Sequence, residues 1–365
     1  MRKQKDRLDA AMPSILEGYC EKSSKPRAEA EQEAKEFLQV IEDSSSYQFG
    51  KNHSVAYCLL GYLCAYFRHY YPVEFLTSFL NNAANDEDIN NGTAYASRVG
   101  INITMPKWGV SKGEYFFNKE KRAIAKGLSS IKFLGPKVAE ELYCLANDRT
   151  YDCFIDVLRV IDKRSSLDAR QLEILIKIDF FSDFGNQREL LRINDMFNMF
   201  KKGDAKQIKK SAVDGTELES IVKRHAVGTT KSGGVAKSYT LLDVWAILYE
   251  IENAIKAIGM DDLNDITKVL NFKDAMGYVG YVSGKPEDRP KLYITDMYPC
   301  TRKKDGKQFG VKIVTKSIGS GKESSFTIFN RVHDRNPISK GDIILCKRYE
   351  RDGQYFTMLD YEKVY

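Results

Sequence analysis

Apolar residues in the first 200 positions recur at the spacing of amphipathic helices. Residues 28–41 place apolar side chains at helical intervals in a background rich in Ala, Glu, Lys and Gln. Residues 55–70 form a broad apolar stripe, for which Ser54 is the predicted N-cap. Pro72 ends that helix, and further helices are predicted at 136–147 and within 150–200.

The periodicity is lost over residues 201–240, where Lys, Gly, Ser and Thr predominate, as is typical of a flexible linker. An amphipathic helix at 241–258 follows. Short strands separated by Asp-Gly and Gly-Ser turn signals then indicate a small closed or half-closed β-barrel. The segments rich in Val, Ile, Tyr and Phe lie at 277–283, 291–297, 310–315, 325–329, 342–348 and 354–359.

Composition excludes some functions. The chain of 365 residues is 43% hydrophobic and 29% charged, as in ordinary globular proteins, and its net charge of +6 is a mild basic surplus. Seven cysteines without CxxC spacing and four scattered histidines predict reduced thiols and no metal site. No apolar run approaches the roughly 18 residues of a membrane span, and the N-terminus has no secretory core. A cytoplasmic location without a membrane partner is therefore expected.

The segment 47–80 contains unusual residue types in a fixed order. An aromatic pair precedes a Lys-x-His-Ser run, and the helix ends in Tyr-Pro-x-Glu-Phe. The segment resembles the end of the fingers region in C-family bacterial DNA polymerases, the alpha subunits of DNA polymerase III. The aromatic series between 57 and 71 is expected to pack in a core. The matching residues are Tyr47, Phe49, Lys51, His53, Ser54, Ala56, Tyr57, Tyr71, Pro72, Glu74 and Phe75.

The resemblance implies that this helix faces the nascent base pair and the triphosphate of the incoming nucleotide. A lysine, a histidine and a hydroxyl at a helix start suit a phosphate, because backbone N–H groups and cations act together there. Nucleotide contacts are therefore expected from Lys51, His53 and Ser54, with Tyr47 or Phe49 near the base. Without the resemblance, such residues are more often surface or capping groups.

Two later segments resemble helix-hairpin-helix motifs, in which a tight glycine turn lets backbone N–H groups reach a phosphate. The first, FLGPKVAEEL, keeps Gly135 but has Phe133 where the first glycine normally lies. The second, at 172–190, has Ile178-Asp179 where small residues are usual. The residues expected to contact DNA in the first motif are Lys132, Gly135 and Lys137.

The β-rich segment is similar to the oligonucleotide-binding (OB) fold that follows these elements in the family. On OB-folds, basic loops and aromatic faces bind single-stranded nucleic acid. Tyr293, Phe309, Phe326 and Phe329 are the candidate stacking residues, although some must fill the barrel. A basic hairpin tip that is merely solvated is an equally good interpretation. The basic residues expected to contact DNA are Arg302, Lys303, Lys304 and Lys307.

The segment 193–197 resembles the short stretch through which the family contacts the sliding clamp. Asp195, Met196 and Phe197 would make that contact, although Ile193 stands where the family usually has Gln. Because these apolar residues also continue a helical pattern, core packing is the favoured alternative.

Nucleotidyl transfer needs two divalent metals held by closely placed aspartates. In the family these aspartates lie in a palm region N-terminal to the fingers, and no such pair on a strand is present here. Neither a catalytic residue nor a bound cofactor is therefore expected in this chain, and Mg²⁺ and dNTP would be bound by a complete polymerase. Asp86-Glu87-Asp88 and Asp261-Asp262 are interpreted as solvated groups.

Pattern and resemblance together predict a multidomain chain, α then β. The expected function is that of the C-terminal portion of a bacterial or phage-encoded replicative polymerase alpha subunit, which contacts nucleotide, template-primer DNA and single-stranded template. It would need a separate palm-containing chain. A stand-alone DNA-binding or replisome-tethering module is the alternative. The predicted parts are the helical end of the fingers (1–100), a helix-hairpin-helix region (101–200), a flexible linker (201–240), a helical connector (241–275) and an OB-like β-barrel (276–365).

Overall fold

A computed structural model of the chain describes residues 5–45, 51–200, 206–226, 237–302 and 304–365. The chain forms two compact units, Met1–Phe75 and Leu76–Tyr365. Helices dominate up to residue 276 and a closed barrel follows, so the predicted α-then-β order is confirmed. The units divide within a helix at residue 75 and not near residue 100, where the sequence pattern predicted a boundary.

The N-terminal unit is helical. Its helices are α1 (Lys5–Lys22), α2 (Arg27–Ser45), α3 (Lys51–Tyr70) and the start of α4 (Pro72–Asn81). Helices α1 and α2 pack against each other, and the Tyr19 hydroxyl of α1 donates to the Glu33 carboxylate of α2 over 2.9 Å. Helix α3 starts before Ser54, so this residue lies inside the first turn and the prediction that it caps the helix was wrong.

The second unit begins with helices around a small sheet. The helices after α4 are α5 (Asp86–Arg98), α6 (Pro136–Asp148), α7 (Phe154–Arg164), α8 (Ala169–Lys177) and α9 (Gln187–Phe200). The strands are β1 (Asn102–Thr104), β2 (Phe116–Asn118) and β3 (Ala123–Ala125), in the order β1-β3-β2. Gly127 follows in extended backbone and lies against the backbone of another segment, because a Cβ there would be 2.4 Å from the carbonyl carbon of Glu114.

Much of the stretch predicted as a flexible linker is folded. Its elements are β4 (Lys206–Lys209), α10 (Glu219–His225) and β5 (Ser238–Leu241), and the two strands pair antiparallel. Val213 and Val222 are fully buried in the helical core, so the linker prediction was wrong for residues 206–226 and 237–240. The remainder of 201–240 lies outside the described residues. The linker was predicted because Lys, Gly and Ser predominate in this stretch. A few apolar residues among them are buried and stabilise this part of the fold.

Two further helices, α11 (Val244–Ile258) and α12 (Asp265–Met276), complete the helical core. Helix α11 packs against α7 and α9, so the predicted connector belongs to the same folded body. Glu252 of α11 is 1% exposed, and its carboxylate accepts hydrogen bonds from the N–H groups of Phe154 and Ile155, both over 2.8 Å. Lys256 pairs with this carboxylate at 2.7 Å. Glu252 thus caps the start of α7 from a position 98 residues further along the chain.

The C-terminal part of the second unit is a closed five-stranded barrel. Its elements are β6 (Lys291–Thr301), β7 (Gln308–Ser317), β8 (Glu323–Phe329), α13 (Asn330–His333), β9 (Ile343–Asp352) and β10 (Tyr355–Lys363). The strand order β10-β8-β7-β6-β9 confirms an OB-like barrel. The sixth predicted strand, at 277–283, is an irregular connection. A strand was predicted there from the apolar residues, but Val279 is buried beside the barrel without strand pairing.

Lys126, directly after β3, is a buried cation near the barrel. It is 1% exposed, and its ammonium contacts the Tyr278 hydroxyl and lies 4.1 Å from the centroid of that ring. Burial, and then the nearby ammonium of Lys316 on β7, lower the pKa of Lys126 to about 7. Among the described residues, no carboxylate pairs with it. The fold therefore holds this lysine where its charged form is disfavoured.

Replacing this lysine by methionine (Lys126→Met) should stabilise the protein most at or below pH 7. The pKa of an unfolded lysine is about 10.4, so between pH ~7 and ~10 the unfolded chain binds more protons and wild-type stability rises with pH. The buried charge costs roughly 5 kcal/mol below that window, and the variant avoids this cost. Thermal unfolding at pH 6.5, 8 and 9.5 measures the difference. Lys312→Met, at an exposed position of β7, is the control. A gain in stability that does not shrink as pH rises would contradict the prediction.

Candidate nucleic-acid interface

The residues expected to contact the nucleotide lie at the start of α3. His53 is exposed, with its imidazole edge-on to the Tyr57 ring at a centroid distance of 5.9 Å. Ser54 is exposed in the same turn. Tyr47 and Phe49 lie outside the described residues, as does the side chain of Lys51. Nucleotide contact by this group stays a prediction.

Helix α3 exposes apolar side chains along its length. Tyr57, Tyr62 and Tyr70 are 65%, 66% and 62% exposed. Aromatic rings contact one another along the helix, with Tyr66 and Tyr70 at 4.7 Å. Core packing of this series was therefore a wrong prediction for the described part of the chain. An all-round apolar helix is normally buried, so this surface is suited to being covered by other protein.

The first helix-hairpin-helix turn directly precedes α6. Gly135 has an ordinary extended backbone with φ −83°, and it is Phe133 that adopts the left-handed conformation at φ 70°. This conformation costs an L-residue roughly 1–2 kcal/mol, which is why glycine suits the position. Lys132 and Lys137 are exposed beside the turn. The structure therefore brings the predicted contacts Lys132, Gly135 and Lys137 together.

The turn between α8 and α9 repeats this backbone geometry. Asp179 follows the C-cap residue of α8 and has φ 68°. Asp tolerates left-handed backbone better than most residues. Burial raises the pKa of the Asp179 carboxyl group. Both left-handed turn positions thus coincide with departures from the usual motif, Phe133 in place of glycine and Asp179 in place of a small residue.

The barrel carries an aromatic pair, half-buried Phe309 and exposed Phe329, beside its basic β6–β7 hairpin. The ring centroids of Phe309 on β7 and Phe329 at the end of β8 are 6.0 Å apart, and Phe329 is 46% exposed. Close approach of the two strands at this point requires Gly310, because a Cβ there would lie 2.2 Å from the Ile328 carbonyl oxygen. The pair forms part of a groove of about 500 Å³. The groove is lined by Arg302, Gln308, Phe309, Phe329, Asn330 and Arg331.

The groove is cationic. Among the described residues, no carboxylate pairs with the guanidinium groups of Arg302 and Arg331. Lys304 and Lys307 are exposed in the same β6–β7 hairpin, and Lys303 lies outside the described residues. Arg331 was missed from the sequence, because it stands alone after β8 and meets Arg302 only when the barrel closes.

The remaining aromatic candidates of the barrel are interior. Tyr293 and Phe326 are each 6% exposed, so they pack inside the fold and are not available for stacking on a base. Of the four stacking residues predicted from the sequence, only Phe309 and Phe329 remain as a stacking surface.

The residues expected to contact a sliding clamp lie on α9. Met196 is 7% and Phe197 is 2% exposed, and the Phe197 ring packs 6.1 Å from that of Trp245. Asp195 alone of the three is exposed. The structure therefore favours core packing for the apolar pair, which would have to leave the core to reach a clamp.

The acidic groups and apolar helices of the described residues show no metal centre and no membrane span. No group of three or more His, Cys, Asp or Glu side chains in this part of the chain is placed to hold a metal ion. Asp262, interpreted from the sequence as solvated, pairs with Lys268 and accepts a hydrogen bond from the Gln187 N–H over 3.1 Å. No helix among these residues is long and apolar enough to cross a membrane.

Comparison with known proteins finds similarity to one family model and to several polymerase subunits. The family model described as helix-hairpin-helix motif matches residues 100–191. The DNA polymerase III subunit alpha of Campylobacter jejuni is 30% identical over 320 residues, covering 81% of this chain and 26% of that protein. The subunit of Aquifex aeolicus is 26% identical over 359 residues, covering 91% and 30%. That of Ureaplasma parvum is 23% identical over 252 residues, covering 66% and 26%. The chain thus spans 26–30% of these relatives.

Proposed function

The chain belongs to the family of bacterial DNA polymerase III alpha subunits, and on that premise we propose that it is the DNA-holding portion of a replicative polymerase. The two helix-hairpin-helix turns, before α6 and between α8 and α9, hold the backbone of the template-primer duplex. The barrel binds the single-stranded template. The start of α3 contacts the incoming nucleotide through Lys51, His53 and Ser54, with Tyr47 or Phe49 near the base. Synthesis takes place in the cytoplasm of a bacterial cell.

The groove around Phe309 and Phe329 is the observation that carries this proposal. Any base can stack on an exposed aromatic ring, so such a surface binds single strands with little sequence preference. Arg302 and Arg331 beside the rings supply charge for the phosphates between stacked bases. The groove and the hairpins lie in one compact unit, which lets one DNA molecule reach both.

Catalysis in this proposal depends on a palm-bearing chain. That chain supplies the aspartates, and Mg²⁺ bound there would stabilise the charge that develops during nucleotidyl transfer. The exposed apolar surface of α3 supports such a partner, because an uncovered helix of this kind is unfavourable in water. A stand-alone DNA-binding or replisome-tethering module with no catalytic role is the less favoured function.

Primer extension tests this division of roles. The full chain alone is expected to bind primer-template DNA and to extend no primer, since this proposal assigns the catalytic aspartates to the palm-bearing chain. Adding a palm-bearing polypeptide of the same family should give extension, with that polypeptide alone as the control. Extension by this chain alone would refute the proposal. DNA binding without any stimulation of the palm polypeptide would favour the tethering module.

A further inference from the structure

A second cavity lies at the first hairpin, apart from the barrel groove. It has a volume of about 270 Å³, and its wall includes Phe133 from the hairpin, Arg170 and Lys177 from α8 and Asn271 from α12. The cavity is smaller than the roughly 300–1,000 Å³ of sites that enclose drug-sized ligands. It is therefore suited to a single small ring system.

Phe133 is held firmly at the edge of this cavity. Its carbonyl accepts a hydrogen bond from the Gln171 side-chain amide over 2.7 Å, and the N–H of Lys132 donates to the Ala275 carbonyl over 2.9 Å. The ring is 59% exposed, and the Arg170 guanidinium lies 4.1 Å from its centroid. Strained backbone that neighbouring groups hold in this way clusters at ligand-binding positions.

The remaining wall favours a flat, uncharged ligand. Lys177 pairs with Glu173 at 2.6 Å, and Arg170 and Asp274 also line the wall, so its two positive and two negative formal charges cancel. A phosphate would therefore gain little electrostatic binding energy from this wall. The side-chain nitrogen of Asn271 is buried and has no hydrogen-bond partner within the described part of the chain, so it is a donor available to a ligand. A nucleobase offers both an aromatic face and acceptor atoms at its edge.

We propose that this cavity binds one unpaired nucleobase of the DNA that the hairpins hold, an inference that rests on the proposed DNA binding. The base stacks on the Phe133 and Arg170 pair, and Asn271 donates a hydrogen bond to its edge. The motif usually has a flexible glycine at this position. Phe133 instead provides an aromatic ring on which the base stacks. A bulge, a gap or a frayed primer end fits the site best, because its base is already unpaired and the cost of extruding it is small.

Fluorescence anisotropy with two labelled duplexes tests this site on the full chain. The duplexes are identical except that one carries a single bulged adenine. The wild type is expected to bind the bulged duplex about tenfold more tightly, as one stacked base would provide. Phe133→Gly should abolish this preference while binding the paired duplex within twofold of wild type. The variant should remain folded, because glycine adopts φ 70° without strain, and a thermal melt checks this.

Asp179→Gly is the matched control, since it makes the same kind of change at φ 68° in the other hairpin. It should keep the preference for the bulged duplex, whereas Asn271→Ala should reduce it. A wild type that binds both duplexes equally, or a Phe133→Gly variant that keeps the preference, overturns the inference and leaves the proposed function intact. A wild type that binds neither duplex would instead refute the proposed function on which the inference rests.

Discussion

Replacing both Phe309 and Phe329 by alanine is expected to weaken binding of single-stranded DNA by about 30-fold or more. Each stacked base contributes roughly 1–3 kcal/mol by alanine substitution, and the groove offers the rings of half-buried Phe309 and exposed Phe329, 6.0 Å apart. Anisotropy titration of the full chain with a labelled oligothymidine measures the loss. The double variant should remain folded, because Phe329 is 46% exposed and the barrel interior is formed by other residues.

The salt dependence of wild-type binding belongs to the same prediction. Arg302, Lys304, Lys307 and Arg331 surround the groove, and each neutralised phosphate of a single strand contributes about −0.7 to the slope of log affinity against log salt. With four such contacts, affinity should fall about 50-fold between 50 and 200 mM salt. The aromatic double variant should keep this slope, because it retains all four cations.

Tyr365→Ala provides the control for loss of an exposed aromatic ring. Tyr365 is 59% exposed, and its carbonyl accepts a hydrogen bond from the Ile343 N–H over 2.9 Å. Ile343 pairs with Tyr293 near the start of β6, whereas Arg302 directly follows the other end of that strand. The Tyr365 variant should therefore bind as the wild type does. Equal affinities of the wild type and the double phenylalanine variant would show that the groove is not the single-strand site.

Replacing Glu252 by alanine is expected to destabilise the second unit by roughly 3–5 kcal/mol, which is typical of breaking a buried, hydrogen-bonded ion pair. The variant loses the acceptor of both N–H groups at the start of α7, at 2.8 Å each. Those donors would then be buried without partners, which costs more than the net contribution of an ordinary hydrogen bond. Chemical denaturation followed by circular dichroism measures the effect.

Glu250→Ala is the matched control on the same helix. The Glu250 side chain is 35% exposed and pairs with Arg224 and His225, and surface pairs of this kind contribute about 0–1 kcal/mol. Its loss should therefore change stability little. If the Glu252 variant proves no less stable than the Glu250 variant, the capping of α7 from α11 is not what stabilises this part of the fold.

Local sequence patterns determined the elements and their order. The helices that include residues 28–41 and 55–70, five of the six predicted strands and the succession of hairpins and barrel all agree with the structure. Periodicity and turn residues act over a few positions, so they can be read without knowledge of the rest of the chain. Phe133 was recognisable as a departure from glycine, and Asp179 as a departure from a small residue, for the same reason, and both adopt left-handed backbone.

Tertiary structure alone decided which of these residues meet. Phe309 and Phe329 line a groove while Tyr293 and Phe326 are interior, because closure of the barrel determines which side of each strand faces outward. Val222 joins the core from a polar stretch that has no visible periodicity. Glu252 reaches the start of α7, and Asn271 reaches the cavity at Phe133, across long separations in sequence. Such contacts depend on how whole elements pack against each other, and the spacing of residues within one element carries no information about that packing.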